Sequence, residues 1–264
     1  MTPGVAVVIP VWGSYVGFLD EAVASVLEQR EAVEVIVVDN ASDEPVPALT
    51  DAKVVRATSR LSTGAARNFG LGAVTAPLVV FLDADDVMLP GSLRALKTGI
   101  RDGDAAFAMA IIEGDTGMRH RAPRSIAYTL ARVPLLFALA NTIWSLLPTQ
   151  GATIMRTAAV RAAGGYADSS QGEDWALGSA LAWRGRIRLG TEPALLYRWR
   201  FDSPGQAGAN PDLLANARRV RERMRTDAAV PAVVRALLPL LAGVQWLAVA
   251  ALRPLVLGAR RVRG

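Results

Sequence analysis

Three aspartates within a short stretch are the first candidates for chemistry in this sequence. Asp83, Asp85 and Asp86 follow directly after the apolar run 77–82. Carboxylates this close repel one another unless a cation lies between them, and a hard divalent cation takes oxygen ligands and bridges to phosphate oxygens. The pattern therefore predicts a metal-assisted phosphate site. A turn or helix-capping cluster is the alternative, because Asp favours both.

A further acid at a strand end strengthens the phosphate-site interpretation. Asp39 follows the apolar run 35–38, and another buried strand at 5–10 ends at Pro10. Helical patterns at 19–29, 64–74 and 90–100 separate the strands. Strands that alternate with helices imply an α/β fold with a mostly parallel sheet covered on both faces. Ligands bind outside the carboxyl ends of such strands, so we expect these acids to converge at one edge.

The second half of the chain has a looser pattern. An apolar helical stripe runs over 126–147, with a kink expected at Pro134. An Arg-rich helix predicted at 211–226 leads to the stretch 236–252, which is uncharged and bracketed by Arg. A membrane-spanning helix wants about 20 apolar residues. This stretch is slightly short, so packing on the domain, an interfacial or re-entrant placement and a true span all stay open.

Composition bounds the class of protein. The chain has 264 residues, of which 52% are hydrophobic and none is cysteine. This length and apolar content allow a substantial core and exclude intrinsic disorder. The absence of Cys from the sequence excludes a disulfide scaffold and any thiolate site. Residues 1–4 contain no basic region, so we expect no signal peptide and a cytoplasmic location.

Charge is unevenly distributed along the chain. The net charge is +5, but acids predominate in residues 1–115 and bases, nearly all of them Arg, in residues 116–264. A basic protein often binds nucleic acid. Here many Arg residues lie beside apolar runs, which favours an anionic membrane surface or a phosphorylated ligand. We therefore expect no nucleic-acid partner and a peripheral position on the inner face of the cell membrane.

Short motifs occur in a fixed order along roughly residues 5–200. They are Val8-Ile9-Pro10-Val11, Val37-Val38-Asp39-Asn40-Ala41-Ser42, Ala66-Arg67-Asn68-Phe69-Gly70, Phe81-Leu82-Asp83-Ala84-Asp85-Asp86 and Gly172-Glu173-Asp174-Trp175. In this order and spacing they resemble family 2 of the nucleotide-sugar glycosyltransferases. The resemblance implies a single Rossmann-like domain with the A-type glycosyltransferase fold, followed here by a C-terminal helical tail.

The resemblance also implies roles on the nucleotide side. Pro10 and Val11 would line the nucleobase pocket and offer backbone hydrogen bonds. Asp39 would accept a hydrogen bond from the base. Arg67 would supply a fixed positive fork near the nucleotide, and Asn68 would help to hold that loop.

On the reaction side, the resemblance implies an inverting transfer. Asp83 would contact the ribose or the outer shell of a metal ion. Asp85 would coordinate Mg²⁺ or Mn²⁺, which neutralises the departing diphosphate. Asp174 would be the general base that takes a proton from the acceptor hydroxyl. Members often carry Tyr-Arg-x-His near the end of the domain, but Arg200 stands at the His position here, where it would pair with the diphosphate instead of a metal.

These expectations define a catalytic domain at 1–205. Its nucleotide-sugar half covers about 1–112 and its acceptor half about 113–205, and residues 206–264 form a membrane-associating tail. The expected donor is a UDP-, GDP- or dTDP-sugar. The expected acceptor is a hydroxyl group on a lipid-linked molecule or a cell-envelope glycan.

Three other functional classes explain part of the pattern. A dinucleotide-binding dehydrogenase would explain Asp39, but the first turn lacks Gly-x-Gly-x-x-Gly. A sugar-nucleotide nucleotidyltransferase would use the aspartates, but it needs a Gly-rich first loop with basic residues, and the lysines, Lys53 and Lys97, lie elsewhere. A non-catalytic nucleotide-binding membrane adaptor would explain the tail but leaves the strand-end acids unexplained.

Overall fold

The apolar runs of the first half form buried strands. In the first strand, Val5, Val7 and Ile9 pack into one hydrophobic cluster, whereas Ala6 and Val8 pack into another on the opposite face. Both faces are covered, which explains why the run is continuously apolar. The computed structural model describes residues 3–113, 117, 119–122, 125–147, 150–198 and 213–261. Its strands are β1 (Val5–Val11), β2 (Val33–Asp39), β3 (Lys53–Arg56), β4 (Leu78–Phe81), β5 (Val87–Met88), β6 (Ala105–Glu113), β7 (Arg119–Ala122), β8 (Thr153–Arg156) and β9 (Ile187–Arg198).

Helices cover both faces of the sheet, and two of them replace the single kinked helix predicted over 126–147. Pro134 occupies the first turn of a helix, where its missing N–H costs nothing, so the chain breaks and restarts there. The prediction of one kinked helix is wrong. The helices are α1 (Leu19–Leu27), α2 (Thr63–Ala73), α3 (Ser92–Ile100), α4 (Ser125–Leu130), α5 (Pro134–Ile143), α6 (Thr157–Ala162), α7 (Glu173–Ala182), α8 (Leu213–Thr226) and α9 (Ala232–Arg261).

Within the described residues, the strands form one sheet in the order β3-β2-β1-β4-β8-β6-β9-β5, and β7 pairs with β6. Strands β3, β2, β1 and β4 are mutually parallel. Beyond them β8 runs antiparallel to both β4 and β6. The predicted α/β class is confirmed, with four mutually parallel strands in the half expected to bind the nucleotide.

The register brings three strand ends level with one another. Val11 at the end of β1 lies opposite Asp39 at the end of β2, and Asp39 lies opposite Arg56 of β3. On the other side of β1, Phe81 of β4 lies opposite Val8. The aspartates that follow β4 therefore leave the sheet at the same edge as Asp39.

The C-terminal part is helical, as predicted. Helix α9 continues through Pro239 and Gly243 and extends well beyond the stretch 236–252. No helix in the described portion is both long and apolar enough to cross a membrane. The predicted boundary at 112 falls inside β6, and the boundary at 205 lies outside the described residues, so both stay predictions.

Candidate active site

The site begins at the carboxyl ends of β1 and β2. The Asn40 amide donates to the Val11 carbonyl at 2.9 Å. The Asn40 side chain also exchanges two hydrogen bonds with the backbone of Leu61, at 2.8 and 3.0 Å. These contacts hold the segment before α2 against the strand ends. Hydrogen bonds of Asn40 thus connect the first strand-end motif, which ends at Val11, to the segment that precedes α2.

Asp39 is buried, and its carboxylate is hydrogen-bonded to residues that follow it closely in the sequence. Its carboxylate accepts hydrogen bonds from the amides of Ser42 (2.9 Å) and Val46 (3.2 Å) and from the Arg56 guanidinium. Burial alone would raise the pKa of Asp39, but these hydrogen bonds outweigh it and lower the pKa. Asp39 therefore fixes the loop after β2, and its predicted hydrogen bond to a base stays a prediction.

An exposed tryptophan lies next to the residues expected to line the nucleobase pocket. The Val11 side chain is buried and Pro10 is partly buried, but Trp12 is 40% exposed. The Arg60 guanidinium lies 3.3 Å from the centre of the Trp12 ring, a cation–π contact. The sequence interpretation did not use either residue. The available signal was an aromatic residue two positions after the strand-end proline.

Arg67 is the centre of the site. Its Nη2 lies 2.6 Å from Asp83 Oδ1, and its Nη1 lies 2.7 Å from Glu173 Oε1. The guanidinium is buried and lies 5.3 Å from the centre of the Tyr166 ring. Burial opposes the charged form, but Asp83 and Glu173 outweigh it and raise the pKa of Arg67. A permanent cation therefore joins the edge of the sheet where Asp83 follows β4 to the start of α7.

Glu173 and Asp174 are neighbours with different environments. Glu173 is buried, whereas Asp174 is partly exposed and accepts a hydrogen bond from the Trp175 amide at 2.6 Å. Burial and the charge of Asp174 raise the pKa of Glu173 to about 7, against the opposing effect of Arg67. Divergent environments for adjacent carboxyl groups are typical of acid–base sites. Sequence reasoning named Glu173 as part of the motif at 172–175 but gave it no role in the site.

The loop before α7 is tied to α2. Asn68 donates to the Tyr166 carbonyl at 2.9 Å and accepts from the Tyr166 amide at 2.8 Å. The Gly64 amide donates to the Ser169 carbonyl at 2.9 Å. A Cβ at Gly64 would lie 1.9 Å from the Ala167 carbonyl oxygen, so this close approach requires glycine. Asn68 thus holds the loop that precedes the expected base.

The aspartate cluster contains one deeply buried member. Asp86 Oδ1 accepts a hydrogen bond from the Arg198 amide at 3.1 Å, and Oδ2 is buried without a hydrogen-bond partner in the described part of the chain. Burial, followed by the charges of Asp83 and Asp85, raises the pKa of Asp86 well above its usual range. Asp85 is half-buried beside it.

The side chains present fit a metal ion only in part. Among the described residues, no three His, Asp or Glu side chains are placed to hold one together. Asp83 Oδ1 binds Arg67, and Asp86 is buried. Asp85, the predicted metal ligand, would need further ligands from a bound phosphate, and its role stays a prediction. Arg200, predicted to pair with the diphosphate, lies outside the described residues.

Comparison with known proteins points to one family. The model of the family described as "Glycosyl transferase family 2" matches residues 6–161. This span includes the strand-end motifs, Arg67 and the aspartate cluster. It ends before α7, so the Glu173–Asp174 pair lies beyond the matched region.

Two curated relatives come from Rhizobium meliloti (strain 1021). Succinoglycan biosynthesis protein ExoO is 29% identical over 117 residues, which cover 42% of this chain and 33% of the relative. Succinoglycan biosynthesis protein ExoU is 37% identical over 83 residues, covering 28% of this chain and 24% of the relative. The matched segments thus span about a third or less of each relative.

Solved structures with a similar fold include S. aureus TarS. The crystal structure of TarS 1-349 in complex with UDP-GlcNAc has a TM-score of 0.66 and 18% identity, covering 90% of this chain and 70% of that one. A structure described simply as S. aureus TarS has a TM-score of 0.60 and 16% identity, covering 90% of this chain and 42% of that one. At this identity the likeness shows the fold, and it confirms the A-type glycosyltransferase architecture.

Proposed function

The chain belongs to glycosyl transferase family 2, and from that membership we propose that it transfers a sugar from a nucleotide diphosphate sugar to a hydroxyl acceptor, with inversion. One observation carries the proposal beyond the family: Arg67 binds Asp83 at the donor edge and Glu173 beside Asp174. A single buried cation thus positions donor-side and acceptor-side carboxylates together. Positioning of this kind supplies much of the catalysis in group transfer.

The donor is proposed to lie across the ends of β1, β2 and β4. The base would lie near Pro10 and Trp12, with the loop held by Asp39 beneath it. The sugar and diphosphate would extend towards Asp83. The TarS structures support this class of donor, because one contains UDP-GlcNAc and another UDP. The base is proposed to be uracil, guanine or thymine, as in UDP-, GDP- and dTDP-sugars.

Asp174 is the proposed general base. Its carboxylate takes the proton of the acceptor hydroxyl while that oxygen bonds to the anomeric carbon. The bond from the anomeric carbon to the diphosphate oxygen breaks, and the nucleoside diphosphate leaves with the electron pair. Attack opposite the leaving group inverts the anomeric configuration. Glu173 is buried against Arg67, so it positions this segment and Asp174 receives the proton.

Asp85 is the proposed protein ligand of Mg²⁺ or Mn²⁺. The other ligands would be diphosphate oxygens of the donor, because the described side chains do not make a complete metal site. When bound, such an ion neutralises charge on the leaving diphosphate. Arg200 is proposed to assist by pairing with the same group.

The acceptor is proposed to be a lipid-linked molecule or a cell-envelope glycan. The relatives named for succinoglycan biosynthesis support a polysaccharide pathway. The Arg-rich C-terminal part supports a peripheral position on the inner face of the membrane.

Isothermal titration with UDP, GDP and dTDP, each with and without Mn²⁺, tests the donor class. We expect one nucleoside diphosphate to bind best and Mn²⁺ to strengthen its binding. A panel of the matching nucleotide sugars, followed by release of nucleoside diphosphate, then identifies the sugar. Binding of NAD, or of none of these nucleotides, would contradict the proposal.

A further inference from the structure

Exposed apolar side chains are concentrated in one part of the molecule. Soluble proteins rarely expose large contiguous apolar patches unless the patch binds something. Most of the large hydrophobic side chains that are exposed in the described residues lie on or beside α4, α5 and α9. These are Ile126, Val133, Leu135, Leu136, Trp144, Val233, Leu237, Leu240, Val244, Trp246 and Leu247, here called the apolar face.

The α9 members form a stripe at helical spacing. Val233, Leu237, Leu240, Val244 and Leu247 recur every three or four residues, which places them on one side of the helix. The neighbouring side, one residue further along in each turn, is packed against the protein through buried residues that include Val234, Leu238 and Gln245. Leu240 is 67% exposed, so the stripe projects away from the domain.

Helix α9 meets the end of α5 within this face. The buried Gln245 side chain donates to the Ile143 carbonyl at 2.6 Å. The next residue on each side of this hydrogen bond is an exposed tryptophan, Trp246 and Trp144. Trp is enriched at membrane–water interfaces, because its ring is apolar and its N–H is polar. Two exposed tryptophans therefore flank the contact between the two helices.

The two segments that carry the apolar face contain no acidic residue. Residues 116–167 and 228–264 both lack Asp and Glu, although each contains several Arg. Exposed Arg132 precedes Val133 in the face. Two copies joined through this surface would bring like charges together, whereas an anionic surface would neutralise them.

We infer that the apolar face lies in the plane of an anionic lipid bilayer, with α9 parallel to the surface. The stripe would enter the boundary between headgroups and acyl chains, whereas Trp144, Trp246 and exposed Arg132 would lie at the level of the headgroups. One side of α9 is bound to the protein and only the other is available, which suits a helix lying on the membrane.

This placement brings the bilayer close to the proposed base. Trp175, adjacent to Asp174, donates its indole N–H to the Asn141 carbonyl of α5, and the Asn141 side chain donates to Ser179 Oγ of α7 at 3.0 Å. Helix α7 therefore lies directly against α5, whose exposed side carries Leu135 and Leu136. Resting on the proposed function, this arrangement would favour an acceptor that is itself held in the membrane.

Vesicle sedimentation of the full chain tests the inference. The vesicles contain phosphatidylcholine alone or mixed with phosphatidylglycerol, and the double variant Leu240→Glu/Val244→Glu is compared with the wild type. We expect the wild type to bind the anionic vesicles, less so at high salt, and the double variant to bind at least about tenfold more weakly. Leu27→Glu, an exposed apolar residue on α1, is the matched control and should bind like the wild type.

Two readouts separate this inference from the proposed function. Nucleotide titration of the double variant should match the wild type, because neither Leu240 nor Val244 is among the residues proposed to bind the donor. Quenching of tryptophan fluorescence by lipids with brominated acyl chains should fall in Trp144→Phe/Trp246→Phe. Equal vesicle binding by the wild type and the double variant would overturn the inference. The inference would also be overturned if the wild type formed a dimer, the double variant were a monomer, and neither protein bound vesicles.

Discussion

Arg67 Nη1 lies 2.7 Å from Glu173 Oε1, and this ion pair joins residues 106 positions apart in the chain. Both side chains are buried. The same guanidinium binds Asp83 through its other Nη atom at 2.6 Å. The pair therefore links the edge where the donor is proposed to bind with the helix that carries the proposed base. A fixed guanidinium fork suits this task, because its donors point in set directions.

Removal of the Arg67 charge should lower the stability of the protein. Arg67→Gln leaves two carboxylates without their cation, and loss of one partner of a buried pair costs about 3–5 kcal/mol. Protonation of Glu173, whose pKa is already raised, will offset part of that cost. Urea denaturation measures the loss. Arg94→Gln, at an exposed side chain, is the control and should change stability by less than about 0.5 kcal/mol. An equal effect of the two variants would contradict the conclusion that Arg67 is a buried cation required by Asp83 and Glu173.

The raised pKa of Glu173 predicts a pH dependence of stability. Its pKa rises from 4.5 to about 7 on folding, mainly through burial. Between these values the folded state binds more protons than the unfolded state, so stability falls as pH rises and then levels off above pH 7. The shift corresponds to roughly 3 kcal/mol.

Comparison of the wild type with Glu173→Gln isolates this contribution, because Gln keeps the hydrogen bond to Arg67 but does not titrate. The stability of the wild type relative to the variant should decline between about pH 5 and pH 8. Urea denaturation at a series of pH values measures the difference. A difference that stays flat with pH would show that folding does not raise the pKa of Glu173.

Two glycines of α2 provide a matched test of the contact between the two halves. A Cβ at Gly64 would lie 1.9 Å from the Ala167 carbonyl oxygen, whereas a Cβ at Gly72 would meet nothing within 4 Å. Gly64→Ala should destabilise the protein by about 1–3 kcal/mol, because the loop must move. Gly72→Ala should stabilise it by about 0.5–1 kcal/mol. Thermal unfolding gives both values, and shifts of the same sign would contradict the close approach.

Local patterns predicted the strands and the edge where the acids gather. Val5–Val11 and Val33–Asp39 form as expected because a continuous apolar run matches a strand covered on both faces. The convergence of Asp39 and Asp83 at one edge follows from parallel pairing alone. The family resemblance placed Arg67 near that edge, and the packing of α2 beside β1 and β2 accounts for its position there.

The partners of the buried charges could not be predicted in the same way. Asp39 is satisfied by its own loop and Arg56, and Arg67 by Glu173, because the paths of the connecting segments bring these groups together. Such contacts depend on loop conformation, which periodicity does not encode. Pro134 shows a similar limit: a proline inside an apolar stripe is compatible with a kink or with a new helix, and packing selects the latter.

The direct test of the account is the separation of donor binding from turnover at Asp174. Asp174→Asn should bind the nucleotide-sugar donor within about twofold of the wild type, but its release of nucleoside diphosphate should fall by about 10²–10⁴, since the proton acceptor is lost. Asp85→Ala should weaken binding and turnover together. Asp102→Asn, at an exposed residue paired with Arg188, is the control and should change neither. Isothermal titration gives the donor affinity and a nucleoside diphosphate assay on the same preparations gives the turnover. Turnover of Asp174→Asn within a few fold of the wild type would contradict the role of Asp174 as the general base.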